Sequence, residues 1–316
     1  MIKQRTKSIR LQKLEAILPR LNSRTSKYAE MEKEFAKRLK GYLGEKKVDY
    51  HLETISHKAL NLPDVNLQHK GRNFQIDHFL ISPQAKYIVE TKNYQGTITF
   101  DTIYKQLIRD DGEKETGFRY PITQVEMQKL KLEQWLSSHN LPEVPIYYFI
   151  AISHPSTIIK VKGDDSSISP VVAHAENIPI MIMEKEKQVQ QNNSRTIQHH
   201  KIGQIIATHN KEPDFDILST YNIDPKEIKP GVRCPHCAWL GMKRIYNNWL
   251  CPKCKGKSQY AHRAALRDYF LLIQPWITNK IGRYWLNVPS KDVVTRLFIK
   301  EKFIYHSERR IWIPTK

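Results

Sequence analysis

The chain has no long apolar run. Nothing in its 316 residues approaches the roughly eighteen consecutive apolar positions that a membrane-spanning helix needs. The opening stretch, Met1-Ile2-Lys3-Gln4-Arg5, is basic and then amphipathic. It lacks the apolar core and small-residue cleavage site of a secretory leader. These two absences lead to the expectation of a cytoplasmic protein with no membrane partner. Cysteine is scarce: four residues, all between Cys234 and Cys254. A secreted disulfide framework would spread them out, so the clustering favours a metal site in a reducing compartment. Acidic residues are outnumbered, 32 Asp and Glu against 51 Lys and Arg, for a net charge of +19. Such an excess points to a polyanionic partner, nucleic acid before an acidic membrane surface. The excess is uneven. Residues 1–47 and the stretch from Lys255 to Lys316 are Lys/Arg-rich, while the middle carries more of the acidic residues.

Apolar residues make up 40% of the chain, enough for the cores of two or three domains. Leu11, Leu14, Ile17, Leu18 and Leu21 recur at helical spacing, and a second helix is expected from Tyr28 to about Leu52. Strand patterns follow at Val65-Leu67, Phe74-Ile81, Tyr87-Thr91 and Thr97-Phe100, then a polar hairpin from Lys105 to Phe118. Pro121 opens a helix, and Ile146-Ile152 reads as a strand. Shorter strands are expected at Ile158-Val161, Val171-Ala173 and Ile178-Met183. A polar loop follows over Glu184-Ser194, including Gln188-Asn193, and then a short helix over Thr196-Thr208. The expectation is mixed α/β with one central sheet. The boundaries read as a basic helix over 1–27, the α/β domain over 28–212, a proline-bearing linker over 213–229, a cysteine module over 230–257 and a C-terminal module over 258–316.

The most informative residues are in the α/β domain. Asp77 stands on one apolar strand, and Glu90-Thr91-Lys92 closes the next. Strand side chains alternate faces, so Glu90 and Lys92 share a face while Thr91 takes the other. His78 likewise faces away from Asp77. An Asp, a Glu and a Lys on one sheet face suit a divalent cation beside a phosphate. Asp77 and Glu90 are hard oxygen ligands for Mg2+ (or Mn2+), and the Thr91 carbonyl offers a third oxygen. Lys92 suits orienting or deprotonating a water and stabilising developing charge. Glu45, beside Gly44 on the preceding helix, and Gln124, opening the later one, complete the candidate set.

The order Gly44-Glu45, Gln75-Ile76-Asp77-His78, Val89-Glu90-Thr91-Lys92-Asn93 and Pro121-Ile122-Thr123-Gln124 resembles the nuclease-related domain (NERD) of the PD-(D/E)xK nuclease superfamily. The likeness covers roughly residues 38–155, with Ile76 where the superfamily's name has proline. It implies a restriction-endonuclease-like fold, a mixed central sheet flanked by helices. It also implies Asp77 and Glu90 as metal ligands, Lys92 as the catalytic lysine, and Glu45 and Gln124 as supporting residues.

Cys234-Pro235-His236-Cys237 and Cys251-Pro252-Lys253-Cys254 form two Cys-x-x-Cys knuckles. Two knuckles complete a tetrahedral site for structural Zn2+ and resemble a zinc ribbon; a redox dithiol pair or an iron–sulfur centre are the other readings. His236 is a spare, and Trp239, Tyr246 and Trp249 are expected to pack over the metal. The C-terminal module reads as a small winged helix-turn-helix: a helix from Tyr260, two short helices with Ser290 capping the second, then a hairpin around Ser307-Glu308-Arg309. Lys291, Thr295 and Arg296 would face a DNA groove, and Arg309 and Arg310 would touch phosphate. The leading expectation is a metal-dependent DNA endonuclease or nickase. A nuclease fold that only binds DNA and an RNA-processing nuclease are the alternatives. Cutting both strands of a duplex calls for two active sites, which makes a homodimer one arrangement to expect.

Overall fold

A computed structural model of the chain describes residues 4–192 and 195–315. The expectations that fall on Met1–Lys3, Asn193, Ser194 and Lys316 lie outside the described residues. The chain forms two compact units: Met1–Lys7 with Arg38–Pro213, and Ser8–Lys37 with Asp214–Lys316. Helix α1 (Ile9–Ile17) starts at Ser8, whose hydroxyl accepts the Leu11 amide. Helix α2 (Ser26–Leu52) contributes to the first unit from Arg38 onward.

In the first unit, strands β1 (Leu60–His69), β2 (Arg72–Ile81) and β3 (Lys86–Lys92) form an antiparallel meander. They are followed by β4 (Thr97–Asp101), β5 (Gln106–Asp110), β6 (Glu115–Arg119), α3 (Pro121–Ser138), β7 (Ile146–Ile152), β8 (Ile158–Lys162) and β9 (Val172–His174). Helices α4 (Ile178–Asn192) and α5 (His199–His209) complete the unit. The central sheet has the order β1-β2-β3-β7-β9, with β3, β7 and β9 parallel. One face packs Ile76, Phe79 and Ile88 against Val125 and Trp135 of α3 and Ile202 and Ile206 of α5. The other packs Leu80, Tyr87 and Val89 against Val48 and Leu52 of α2 and Ile178 and Ile182 of α4. This is the mixed sheet flanked by helices that the sequence predicts.

Two local expectations are corrected. The expected strand Ile178-Met183 and the polar loop after it are one helix, α4. Ile178, Ile182, Glu186 and Val189 are buried at steps of four, four and three, a helical stripe that the short apolar run conceals. The polar hairpin of β5 and β6 is not an appendage to a single sheet. It joins β4 and β8 in a second, four-stranded sheet of order β6-β5-β4-β8, over its own core of Ile98, Phe100, Leu107 and Tyr120.

The second unit gathers α1, the start of α2, α6 (Ile217–Thr220), the three-stranded sheet β10 (Lys243–Ile245), β11 (Asn248–Leu250) and β12 (Lys257–Ser258), helices α7 (Ala261–Leu272), α8 (Asn279–Leu286) and α9 (Lys291–Lys300), and hairpin β13 (Ile304–His306) with β14 (Ile311–Ile313). The segment read as a linker is packed: Ile217, Tyr221, Ile223 and Ile228 join Leu14, Ile17, Trp249, Tyr269, Trp285 and Phe298 in one core. Arg20 is buried there, bonded to Asp268 at 2.8 Å and to the carbonyls of Lys229 and Gly231, with its guanidinium over Trp285. The N-terminal basic helix therefore belongs to the core of the second unit, where its apolar residues find partners a separate helix would lack. No helix among the described residues is long and apolar enough to cross a membrane.

Candidate functional site

The site stands where strand alternation breaks. On β1 and β2 the residues facing α3 step by two, except from Leu62 to Val65 and from Ile76 to Phe79, where they step by three. Asp64 and Asp77 lie in those gaps, and Asp64 has a left-handed backbone, φ +53°. Such irregularities re-aim side chains at the cost of ladder pairing. The ladder between β2 and β3 accordingly stops at His78–Val89. Beyond it, the Asp77 side chain takes over as acceptor and receives the Thr91 amide at 2.9 Å.

Glu90 sits on β3 next to this break and is 4% exposed. Its Oε1 accepts from Lys92 Nζ at 2.7 Å and from Gln124 Nε2 at 2.6 Å. Lys92 also donates to Gln124 Oε1 at 2.9 Å, which closes a triangle. Gln128, one turn along α3, donates to the other oxygen of Glu90 at 3.0 Å. Glu90 and Lys92 thus share the α3 side of the sheet. Thr91 turns to the α2 side, where its hydroxyl meets His78 Nε2 at 3.1 Å and His78 Nδ1 meets Asp49 at 3.0 Å.

Helix α2 brings Glu45 to the same end of the sheet. Gly44 makes this possible: a Cβ there would lie 2.6 Å from Asn93 Cβ and 2.7 Å from Ser153 Oγ. Glu45 and Asp49, one turn apart, are clasped by Arg5, whose side chain is 3% exposed. Arg5 reaches Glu45 Oε2 at 2.6 Å, Asp49 Oδ2 at 2.5 Å, Asp64 at 3.6 Å and the main-chain carbonyl of Asp77 at 2.7 Å. The structure therefore brings together Asp77, Glu90, Lys92, Glu45 and Gln124, and adds Arg5 and Gln128. Gln128 was signalled by its spacing of four from Gln124 on one helix face. Arg5 had no local signal, since its partners are 40 to 73 positions away.

The charges strain against each other. Burial, with the charges of Glu90 and Glu45, pushes Asp77 well above the ordinary carboxylate range. Burial also raises Glu45 to about 7, with Asp64, Asp49 and Glu90 adding to the rise and Arg5 opposing it. Lys92 is raised: burial works against its charge, but Glu90 and Asp77 outweigh it. A divalent cation suits the chemistry of this donor set, although the oxygens of Glu45, Asp77 and Glu90 do not all gather within 4.8 Å of one another. It would relieve the repulsion between hard carboxylate oxygens, and the buried Gln128 Oε1, which has no hydrogen-bond partner among the described residues, is available to a bound water.

The four cysteines form a different kind of centre. Among the described residues they are the one group of three or more His, Cys, Asp or Glu whose ligand atoms all lie within 4.8 Å. Cys234 and Cys254 sulfurs are 3.7 Å apart, and those of Cys237 and Cys251 3.6 Å. These separations are too long for disulfides. They match the roughly 3.8 Å edge of a tetrahedron with Zn–S distances of about 2.3 Å. The four thiols can bind zinc as a ribbon does, and His236 is exposed. The expected aromatic cover is corrected: only Trp249 is buried, while Trp239 is 48% and Tyr246 92% exposed.

In the C-terminal module, α8 and α9 are joined by a tight turn through Asn287, φ +57°, and Ser290 caps α9 by accepting the Val293 amide. Lys291, Arg296, Arg309 and Arg310 are exposed. Thr295 is only partly so, and its hydroxyl accepts from Asn279 at 2.9 Å.

The first unit is thus a mixed α/β domain with an acidic, lysine-bearing end to its central sheet. Residues 40–153 match the family described as nuclease-related domain, which supports a nuclease-like function and a restriction-endonuclease-like fold for this part of the chain. An uncharacterized protein of Bacillus anthracis is 30% identical over 123 residues, 38% of this chain. The chain spans 56% of the length of that relative. No solved structure matches the chain.

Proposed function

We propose that the first unit is a metal-dependent phosphodiesterase that cuts DNA as an endonuclease or nickase, with Mg2+ or Mn2+ as its cation. The observation that carries this reading is the closed triangle of Glu90, Lys92 and Gln124 beside Asp77. Asp77 and Glu90 would hold the cation, with the Thr91 carbonyl as a third oxygen. When bound, the cation supplies charge neutralisation at the phosphate and a more acidic water. Lys92 stays cationic between Glu90 and Asp77. A fixed cation suits stabilising charge on phosphoryl oxygens better than taking a proton from water. Gln124 locks Lys92 and Glu90 in register, and Arg5 orients Glu45.

The second unit would place the enzyme on duplex DNA around a structural Zn2+ held by Cys234, Cys237, Cys251 and Cys254. Lys291 and Arg296 on α9 would enter a groove, and Arg309 and Arg310 would touch phosphate. Thr295 has a smaller part in this scheme, because Asn279 already holds it.

A competing reading is a nuclease fold that binds DNA without cutting it. It is favoured by the engagement of both Glu90 oxygens with protein donors. Incubation of supercoiled plasmid with the protein and Mg2+ or Mn2+ separates the two. Cleavage is expected, abolished by Asp77→Ala or Glu90→Ala and slowed at least about 10²-fold by Lys92→Ala. Plasmid binding without cleavage under either metal would establish the competing reading.

A further inference from the structure

We infer that the outward face of the cysteine-bearing sheet, together with the ring of Tyr246, binds an unpaired stretch of nucleic acid. This goes beyond the proposed phosphodiesterase and does not depend on its activity.

The strand register defines the face. Lys243 pairs with Leu250, and Leu250 with Lys257, so the three form a row across the sheet. Arg244, Trp249 and Ser258 form the neighbouring row on the opposite face. Trp249 is fully buried, with Arg244 over its ring at 5.4 Å. The row bearing Lys243 and Lys257 therefore faces outward, and both lysines are exposed. Ile245 and Asn248, paired and two positions along, extend the same face.

Tyr246 lies at the two-residue turn closing β10 and β11, followed by Asn247 with φ +51°. A tyrosine 92% exposed contributes almost nothing to a core, so folding gives no reason for an aromatic ring there. A second ring, Trp239, is half exposed on the loop after the first knuckle, with Lys253 Nζ 5.6 Å from its centroid. The charge of the segment that carries these rings is one-sided. From Ile228 to Arg267 the chain carries nine Lys and Arg residues and no Asp or Glu. Exposed rings among cations, with no carboxylate in the segment, select an anionic ligand with flat faces to stack on. Unpaired nucleic acid has both, whereas a duplex hides its base faces and offers mainly phosphate.

The test uses the zinc-loaded full chain without other divalent cations, so cleavage plays no part. Fluorescence anisotropy is measured on a labelled oligothymidylate of about 12 nucleotides, within the usual single-strand site size, and on a hairpin duplex of equal charge. Tyr246→Ala should weaken oligothymidylate binding about tenfold, the scale of one lost stacking contact, and leave the duplex within about twofold. Tyr246→Phe should bind like the parent, because the ring and not the hydroxyl carries the contact. Replacing Lys243 and Lys257 by Ala should flatten the salt dependence of oligothymidylate binding by about 0.7 per lysine in log–log slope. The inference is overturned if Tyr246→Ala binds oligothymidylate as the parent does. Equal loss on both ligands, or equal loss in the Phe and Ala variants, would overturn it too. So would failure of the parent to bind oligothymidylate, which would leave a protein partner for this face.

Discussion

Two groups of anionic ligands stand in this chain, one in each unit, and they are built in different ways. The four thiols come from two short knuckles and converge in pairs at 3.6–3.7 Å. Cys234 and Cys251 are buried beside Trp249 in a hydrophobic core, while Cys254 is exposed. The carboxylates of Glu45, Asp77 and Glu90 come from a helix and two strands and are attended by protein cations, Arg5 and Lys92. A cluster with no cation of its own must acquire a metal to exist as a folded object. A cluster already balanced by arginine and lysine can stand without one and exchange it. The first arrangement suits structure; the second suits catalysis.

The strongest way to break that comparison is to remove zinc. Cys234 and Cys251 are buried in the core shared by α1 and α7 to α9, so loss of the metal should cost the second unit its cooperative unfolding. The scale is large, about 10–16 kcal/mol for structural zinc in small domains at neutral pH. Elemental analysis should find one Zn2+ per chain, and Cys251→Ser or a strong chelator should abolish near-UV circular dichroism from Trp249 and Trp285. The carboxylate ligands lie in the other unit and should keep their fold. A protein that loses all its zinc and unfolds at an unchanged denaturant concentration would remove the distinction.

Arg5 provides the next test. Its loss strands Glu45 and Asp49, both largely buried, without their cation. Breaking such a pair from one side typically costs about 3–5 kcal/mol, so Arg5→Ala should destabilise the first unit on that scale in urea unfolding. Arg5→Lys should recover only part, since one ammonium cannot replace a fork that reaches Glu45, Asp49 and the Asp77 carbonyl together. Added Ca2+ should narrow the gap between Arg5→Ala and the parent if the carboxylates exchange one cation for another. An unchanged gap would mean that Arg5 is a packing element and not a balancing charge.

How far this was legible in the sequence follows from where each partner lies. Asp77 interrupts one apolar run, Glu90 and Lys92 close the next, and alternation alone set Glu90 and Lys92 apart from Thr91. Gly44 leaves α2 room for its close approach to Asn93 and Ser153, and the knuckle spacing announced the metal site. Arg5 could not be read, because only the folded chain brings it to Glu45 and Asp64. Helix α4 was hidden because Ile178-Met183 is short and apolar, and the residues that settle its period, Glu186 and Val189, lie in a stretch that looks polar. The linker was misread for the opposite reason. Its prolines were conspicuous, and the four apolar residues that bury it were not.

The smallest effect sharpens the comparison by sign. Acid should act in opposite directions on two buried groups, His262 in the second unit and Glu45 in the first. In the second unit, Trp249 donates its indole N–H to His262 Nδ1 at 3.2 Å, which requires a ring nitrogen free to accept. The other nitrogen faces Glu301 at 3.2 Å. Burial, reinforced by Arg244 and Arg263 and opposed by Glu301, lowers His262 from 6.5 to about 4. Between those values the unfolded chain binds the proton and the folded chain does not. Stability is therefore full above about pH 6.5 and falls as pH drops toward 4, by on the order of 3 kcal/mol. Glu45 does the reverse. Its pKa rises from 4.5 to about 7, so in metal-free protein the folded state takes up a proton that the unfolded state does not. The Glu45 contribution to the stability of the first unit should then increase as pH falls from about 7 toward 4.5, on a similar scale. His78 and Asp49, both lowered, act against it, so the Glu45 part is read as the difference between the parent and Glu45→Gln. Hydrogen exchange read by peptide reports each unit separately. His262→Gln keeps an acceptor for Trp249 and a donor for Glu301 without titrating. It should flatten the acid slope of the second unit alone and leave any remaining slope to the zinc thiolates. If Glu45→Gln leaves the acid slope of the first unit unchanged in the metal-free protein, the Glu45 carboxylate is already balanced, and the contrast with the thiols is one of geometry without a difference in charge.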